Sequence, residues 1–182
     1  MSNVLIGIIG VILFIGLALA GALILGDDFR TATASSQAAA AAQTMLQIQS
    51  AVGMWKLKTG QSSIPNGNTQ FLAPRFLKTD APNPTKVGRA AVPNYQYQPK
   101  FNNDLCPDPN DEGALPNAAY VHFPVGYGID DKNVCQALAD VYSNGVIGND
   151  PRPTTAMGCN YIDAMPQCGI TGQWYMAYAR VN

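Results

Sequence analysis

The sequence predicts an α+β protein in which a long N-terminal helix packs on an antiparallel β-sheet, followed by a disulfide-bonded C-terminal region. Three observations predict this class: an apolar run at the N-terminus, an alanine-rich continuation without proline, and short alternating segments after Lys58, where all 13 prolines lie. The predicted divisions are an apolar helix over residues 1–26, its amphipathic second half over 27–58 and a head domain over 59–182.

The first predicted element is long enough to cross a membrane. No ionisable side chain occurs before Asp27, and Val4 to Leu25 is an unbroken run of apolar residues and glycines. At ~1.5 Å per residue, this run extends ~33 Å as a helix. Because a bilayer core is ~30 Å thick, the length and apolar composition of this run predict a membrane-inserting helix.

Glycines interrupt this apolar run, at Gly7, Gly10, Gly16, Gly21 and Gly26. Each interior glycine costs a helix about 1 kcal/mol relative to alanine. Small residues also let another helix approach closely. Two interpretations follow: a single membrane anchor with ordinary glycines, or a helix that packs against copies of itself.

The helix is predicted to continue to Lys58. Its second half contains the alanine run Ala38 to Ala42, and alanine is the best helix former. Lys56 and Lys58 suit a helix C-terminus, and Gly60 suits the residue that ends it. Spacings of three, four and three residues predict one apolar face that packs on the head domain: Met45, Ile48, Val52 and Trp55.

The head domain is predicted to contain short strands and one further helix. Tyr95 and Tyr97 alternate with glutamines as in a short strand, and residues 119–125 predict a second strand that ends at Pro124. We expect His122, the only histidine, to be a partly exposed residue of that strand rather than a metal ligand or a catalytic base.

A helix and a strand complete the predicted head. The helix begins at Asp130-Asp131, where aspartate caps free N–H groups, and runs to about Tyr142. The strand covers residues 172–181 and is expected in the interior of an antiparallel sheet. One of its faces is predicted to carry Trp174, Met176 and Tyr178.

The four cysteines indicate disulfides more than a metal site. Cys106, Cys135, Cys159 and Cys168 form no CxxC pair, which argues against zinc. An even number of cysteines behind a membrane-inserting segment favours two disulfides in an oxidising compartment. Four cysteines allow three pairings, and the spacing alone does not choose among them.

The composition gives little support to catalysis or to nucleic-acid binding. Lys and Arg are scattered, the formal net charge is −1, and GxSxG and phosphate-binding glycine motifs do not occur. Asp104, Asp108, Asp111 and Glu112 crowd one turn, but without EF-hand spacing they predict a solvated loop rather than a calcium site. We therefore predict no enzyme activity, no cofactor and no metal.

In layout, the chain resembles the type IV pilins, in particular the b-type subclass with toxin-coregulated and thin conjugative pilus subunits. Met1 fits the mature first residue of that subclass, and QTMLQIQSAVGMWKLKTG is similar to the end of its long helix. KTDAPNP resembles the stretch that ends at an Asn-Pro before the first strand. GIDDKNVCQAL resembles the disulfide-bearing helix, with Cys135 as its first cysteine.

This resemblance implies a pilin fold and a structural function. The chain would be anchored in the inner membrane before assembly, and an inner-membrane assembly machinery would polymerise it. The product would be an extracellular homopolymeric fibre for adhesion, motility, aggregation or DNA transfer. The helix would unwind within residues 16–26 of the assembled fibre. The residues implied in packing of the filament core are Met1, Leu5, Gly7, Gly10, Phe14, Gly16, Gly21 and Gly26.

The resemblance also implies a disulfide pairing. It favours Cys135 bonded to Cys168, with Cys106 and Cys159 as the second pair. The alternative that joins Cys159 to Cys168 and Cys106 to Cys135 stays open.

One departure from the family bears on function. Where these pilins usually carry a glutamate at the fifth mature position, this chain has Leu5. An ammonium group without a counter-charge is costly in an apolar bundle, so the Met1 amine would need backbone carbonyls, Ser2, Asn3 or solvent. Two alternatives to a major subunit remain: a low-copy pilin or pseudopilin that starts or caps a fibre, and a membrane-anchored periplasmic domain.

Overall fold

The computed structural model describes residues 2–65, 67–78, 81, 83–85, 100–102, 120–126, 129–149, 153, 155–163 and 174–181. Within these residues, two α-helices accompany one five-stranded antiparallel sheet. The α+β class predicted from the sequence is therefore confirmed. The predicted strand around Tyr95 and Tyr97 lies outside the described residues.

Helix α1 runs without interruption over Ser2–Thr59. It ends as the sequence predicts, because the Gly60 amide donates to the Lys56 carbonyl at 2.9 Å and Gly60 then adopts a φ of +69°. That left-handed conformation is easy for glycine and stops the helix. The chain forms two compact units, Met1–Thr33 and Ala34–Asn182, so α1 from Ala34 onward belongs with the head.

The strands of the head pair in the order β1-β2-β3-β5-β4, and every neighbouring pair is antiparallel. β5 therefore lies in the interior of the sheet, as predicted. The strands are β1 (Gly67–Asn68), β2 (Lys100–Asn102), β3 (Tyr120–Gly126), β4 (Met157–Ile162) and β5 (Trp174–Arg180). A short 3-10 helix, Thr69–Leu72, follows β1.

The prediction that β3 ends at Pro124 is wrong. Pro124 pairs with Met176 of β5, and the strand continues to Gly126 through a register shift. Such an irregularity lets a strand accommodate a residue that lacks an N–H. The Pro124 carbonyl, beyond the part of β3 that pairs with β2, accepts a 2.8 Å hydrogen bond from Asn83 Nδ2.

One face of the sheet is covered by both helices of the head, namely the second half of α1 and α2 (Ile129–Tyr142). Alternation along β5 directs Tyr175, Ala177 and Ala179 to this face. The predicted set Trp174, Met176 and Tyr178 shares the opposite face, where it forms a second, smaller cluster.

Candidate assembly surfaces

The first unit presents an apolar surface to solvent. Side chains of residues 7–20, here called the apolar segment, are all exposed, and Phe14 and Leu17 are each 73 % exposed. Helix α1 is long and apolar enough to cross a bilayer. The segment therefore needs lipid or another protein around it.

The glycines of the first half of α1 have open space around them. A Cβ built at Gly7, Gly10, Gly16, Gly21 or Gly26 meets no atom within 4 Å. Within a single chain, then, no neighbouring group requires these residues to lack a side chain. The side chains of Met1 and Leu5, also predicted to pack in a filament core, lie outside the described part of the structure.

In the second unit, the predicted apolar face of α1 is buried in the head. Met45, Ile48, Val52 and Trp55 are all buried. The Trp55 ring meets Phe71 edge to face, with ring centroids 5.2 Å apart. Next to this face, Gln49 Nε2 donates to the Arg180 carbonyl at the end of β5, at 2.5 Å. The head is thus fixed to α1 by apolar packing and a hydrogen bond.

The opposite side of the same helical stretch carries apolar residues that the head leaves exposed. We call Leu46, Gly53, Met54 and Leu57 the uncovered face. Leu46 is 50 % exposed, Met54 48 % and Leu57 88 %, and a Cβ at Gly53 would meet nothing within 4 Å. Sequence reasoning missed this face, although the spacing of seven and four residues between Leu46, Gly53 and Leu57 places them together.

The disulfide predictions for the two described cysteines are wrong. Cys135 of α2 is bonded to Cys159 of β4, with their Cα atoms 5.3 Å apart. This bond rules out Cys135–Cys168 with Cys106–Cys159, and also Cys159–Cys168 with Cys106–Cys135. The reason is the strand register: Cys159 pairs with Ala177, which puts it on the face of the sheet where α2 packs. Cys106 and Cys168 lie outside the described residues.

His122 is not the partly exposed strand residue that the sequence predicts. It pairs with Tyr178 across β3 and β5 and is only 2 % exposed. Both residues lie on the sheet face opposite the helices. There, the Tyr178 hydroxyl and Thr155 Oγ1 are 2.5 Å apart, and the Tyr120 hydroxyl donates to the Pro153 carbonyl at 2.9 Å. Pro153 and Thr155 therefore contact this second face.

The described residues contain no group of three His, Cys, Asp or Glu side chains placed to hold a metal ion. The acidic turn around Cys106, which the sequence marks as a candidate calcium loop, falls outside the described residues. The exposed apolar side chains of α1 are suited to packing against other apolar surfaces.

Compared with models of protein families, with curated proteins and with solved structures, the chain matches none of them.

Proposed function

We propose that this chain is the structural subunit of an extracellular filament of the type IV pilus kind, which polymerises through its N-terminal helix. The observation that carries the proposal is the uncovered face of α1. It extends the exposed apolar surface of the helix well beyond the segment that a bilayer would hold.

A lone membrane anchor accounts for the run that ends at Leu25 and for nothing further along the helix. Leu46 and Leu57 lie about six and about nine helical turns beyond Leu25, in the part of α1 that packs on the head. Exposed apolar side chains that recur along one face of a folded domain suit a contact with another macromolecule. A bundle of α1 helices from several copies would cover both the uncovered face and the apolar segment.

The glycine positions support the same function. Each interior glycine weakens the helix by about 1 kcal/mol relative to alanine, and no group in the single chain occupies the space that each glycine leaves. Close approach of a second helix would use that space. If the contact joins different surfaces of two copies, it is head-to-tail and continues as an open helical fibre.

The location follows from the same chemistry. Before assembly, the apolar segment would hold the chain in the inner membrane, from which an assembly machinery extracts it. The buried Cys135–Cys159 bond fits a head that folds in an oxidising compartment. In the fibre, identical neighbours replace lipid around the apolar segment.

A second candidate is a low-copy subunit that starts or caps a fibre. Leu5 favours it, because some tip subunits of the pilins that this chain resembles also lack the usual glutamate. Abundance separates the two functions. If the chain is the major subunit, it is the main protein in fibres sheared from the cell surface; a starting or capping subunit is a trace component there.

The direct test compares Gly10→Leu with Leu13→Ile in cells that carry the native export machinery. Leucine at position 10 makes the segment more apolar, so membrane insertion is retained, but it fills the space that a neighbouring helix would use. We expect Gly10→Leu to lower sheared surface fibre at least about tenfold while the membrane pool persists, and Leu13→Ile to leave fibre yield unchanged. A wild-type chain found only as dispersed membrane monomers would overturn the proposal.

A further inference from the structure

The charges of α1 are few and are divided between two places. They are Asp27, Asp28, Arg30, Lys56 and Lys58. We call Asp27 and Asp28 the acidic pair and Lys56 and Lys58 the basic pair. The acidic pair follows the apolar run and is exposed, while Lys58 is exposed and Lys56 half-buried in the last turn of the helix.

Along α1, about eight helical turns lie between the two pairs. Arg30 follows Asp27 at a spacing of three, at which side chains approach on a helix surface. One cation still leaves the acidic pair with net negative charge. Each pair is therefore available to a charge of opposite sign on another molecule.

We propose that two copies of this chain pack with parallel α1 helices offset by about eight helical turns, so that the acidic pair of one copy lies beside the basic pair of the other. This inference rests on the proposed filament function and specifies its register. The occupant of the uncovered face is then the first half of α1 from a second copy.

The same offset provides an apolar partner for the uncovered face. It places Leu57 beside Phe29 of the second copy, which follows the stretch 16–26 where the fibre is expected to lose regular helix. Leu57 is 88 % exposed and Phe29 74 % exposed in the single chain. One register therefore pairs the charges and also covers the end of the uncovered face.

Charge pairs at such a boundary determine register more than they add affinity. Complementary charges across an interface select one alignment of the two helices, because placing like charges beside each other is unfavourable. Apolar burial along the two helices supplies the attraction. The neutral surface between the two pairs allows many offsets, so the pairs discriminate among them.

Reversing the charges tests the register. We expect D27K/D28K and K56E/K58E each to lower sheared fibre yield at least about tenfold, and the four-substitution swap to restore it to within about threefold of wild type. The matched control is R75E/K78E, which reverses two exposed cations of the head outside α1 and should leave yield unchanged. Disulfide mapping of the membrane pool verifies that each variant has folded.

The outcomes separate the two proposals. Wild-type cells without fibres would overturn the filament function itself, and the register with it. Wild-type fibres together with unimpaired charge reversals, or with a full swap as defective as its parents, would overturn the register alone.

Cross-linking gives a readout that does not depend on yield. Cells co-express one chain with Asp28→Cys and another with Lys56→Cys, and the fibres are treated with a short bis-maleimide. We expect a cross-linked dimer from this combination and none from Asp28→Cys with Gln43→Cys. Gln43 is also exposed but lies about 20 Å along the helix from the proposed register. A dimer from Asp28→Cys with Gln43→Cys, and none from Asp28→Cys with Lys56→Cys, would contradict the offset.

Discussion

Cys135, in the middle of α2, is bonded to Cys159, whose strand partner Ala177 lies in the interior strand of the sheet. Both cysteines are fully buried. The bond fastens α2 to the sheet face that also receives the second half of α1. It therefore closes the core of the head on the face of the sheet that both helices share.

Removing this bond is expected to destabilise the head. For a sequence separation of 24 residues, the chain-entropy model gives a loss of about 3.5 kcal/mol in the free energy of unfolding for C135A/C159A. Urea unfolding of the full chain in detergent, followed by tryptophan fluorescence, measures it. A loss below about 1 kcal/mol would show that the bond adds little to the packing around it.

The bond also determines where a second disulfide must form. Because Cys135 and Cys159 are bonded to each other, any further intrachain disulfide joins Cys106 to Cys168. Mass spectrometry of unreduced proteolytic peptides should find the 135–159 pair together with a 106–168 pair. A peptide that links Cys135 to Cys168 would contradict the strand register of β4.

The two sides of α1 within the head predict different effects of the same kind of substitution. Ile48 is fully buried and Leu46 is half exposed. We expect Ile48→Ala to cost about 2–5 kcal/mol of unfolding free energy. Leu46→Ala, by contrast, should cost only a small fraction of that, as surface substitutions usually do. Urea unfolding of the full chain in detergent compares them, and equal losses would mean that Leu46 is covered within the single chain.

Asn83 connects a proline-rich segment to β3 through both ends of its amide. Its Nδ2 donates to the Pro124 carbonyl at 2.8 Å, while its Oδ1 accepts from the Thr85 amide at 3.0 Å. We expect Asn83→Ala to cost about 1–3 kcal/mol, because buried polar groups lose their partners. Asn83→Asp, which retains the acceptor for Thr85 and loses the donor to Pro124, should fall between wild type and alanine in urea unfolding. An alanine variant as stable as wild type would contradict this role.

Tyr178 predicts how stability responds to alkaline pH. Burial raises the pKa of Tyr178 above its ordinary value of 10.0; the hydrogen bond with Thr155 lowers it in part, and Tyr120 raises it. The folded chain therefore holds the Tyr178 proton to higher pH than the unfolded chain does. The contribution of the neutral Tyr178 hydroxyl to the free energy of unfolding is fully present below pH 10.0. It is lost as the pH rises from there through the pKa of Tyr178 in the folded chain.

The measurement for Tyr178 is the urea midpoint between pH 9 and 11.5, compared with Tyr178→Phe. The variant cannot ionise at this position, so its midpoint should fall less steeply above pH 10 than that of wild type. Tyr142→Phe, at an exposed position of α2, serves as the control and should follow wild type. Parallel slopes for wild type and Tyr178→Phe would refute the assignment.

The elements with a strong period could be predicted from the sequence. The buried face through Met45 and Trp55 and the interior strand Trp174–Arg180 follow from spacing alone. β4 could not be predicted this way, because all of its residues except Tyr161 are buried and MGCNYI shows no alternation. The Cys135–Cys159 pair depends on the register of that strand, which spacing along the chain does not encode.

The uncovered face shows a different limit. Leu46 and Leu57 lie among glutamines and lysines, so they do not belong to the apolar periodicity that predicts the buried face of α1. Their importance depends on which side of α1 the head covers, and this is a property of the tertiary packing. The burial of His122 escapes prediction for a similar reason, since it depends on what packs on that face of the sheet rather than on the sequence of β3.

The central claim, that identical copies surround the N-terminal helix after it leaves the membrane, is tested most directly by electron microscopy and helical reconstruction of sheared cell-surface fibres. The account predicts fibres built mainly of this chain, with the first half of α1 packed among other copies and regular helix lost somewhere within residues 16–26. Unbroken helical density there would refute the unwinding alone. Sheared material without such fibres, and a chain recovered only as single bilayer-embedded copies, would contradict the claim itself.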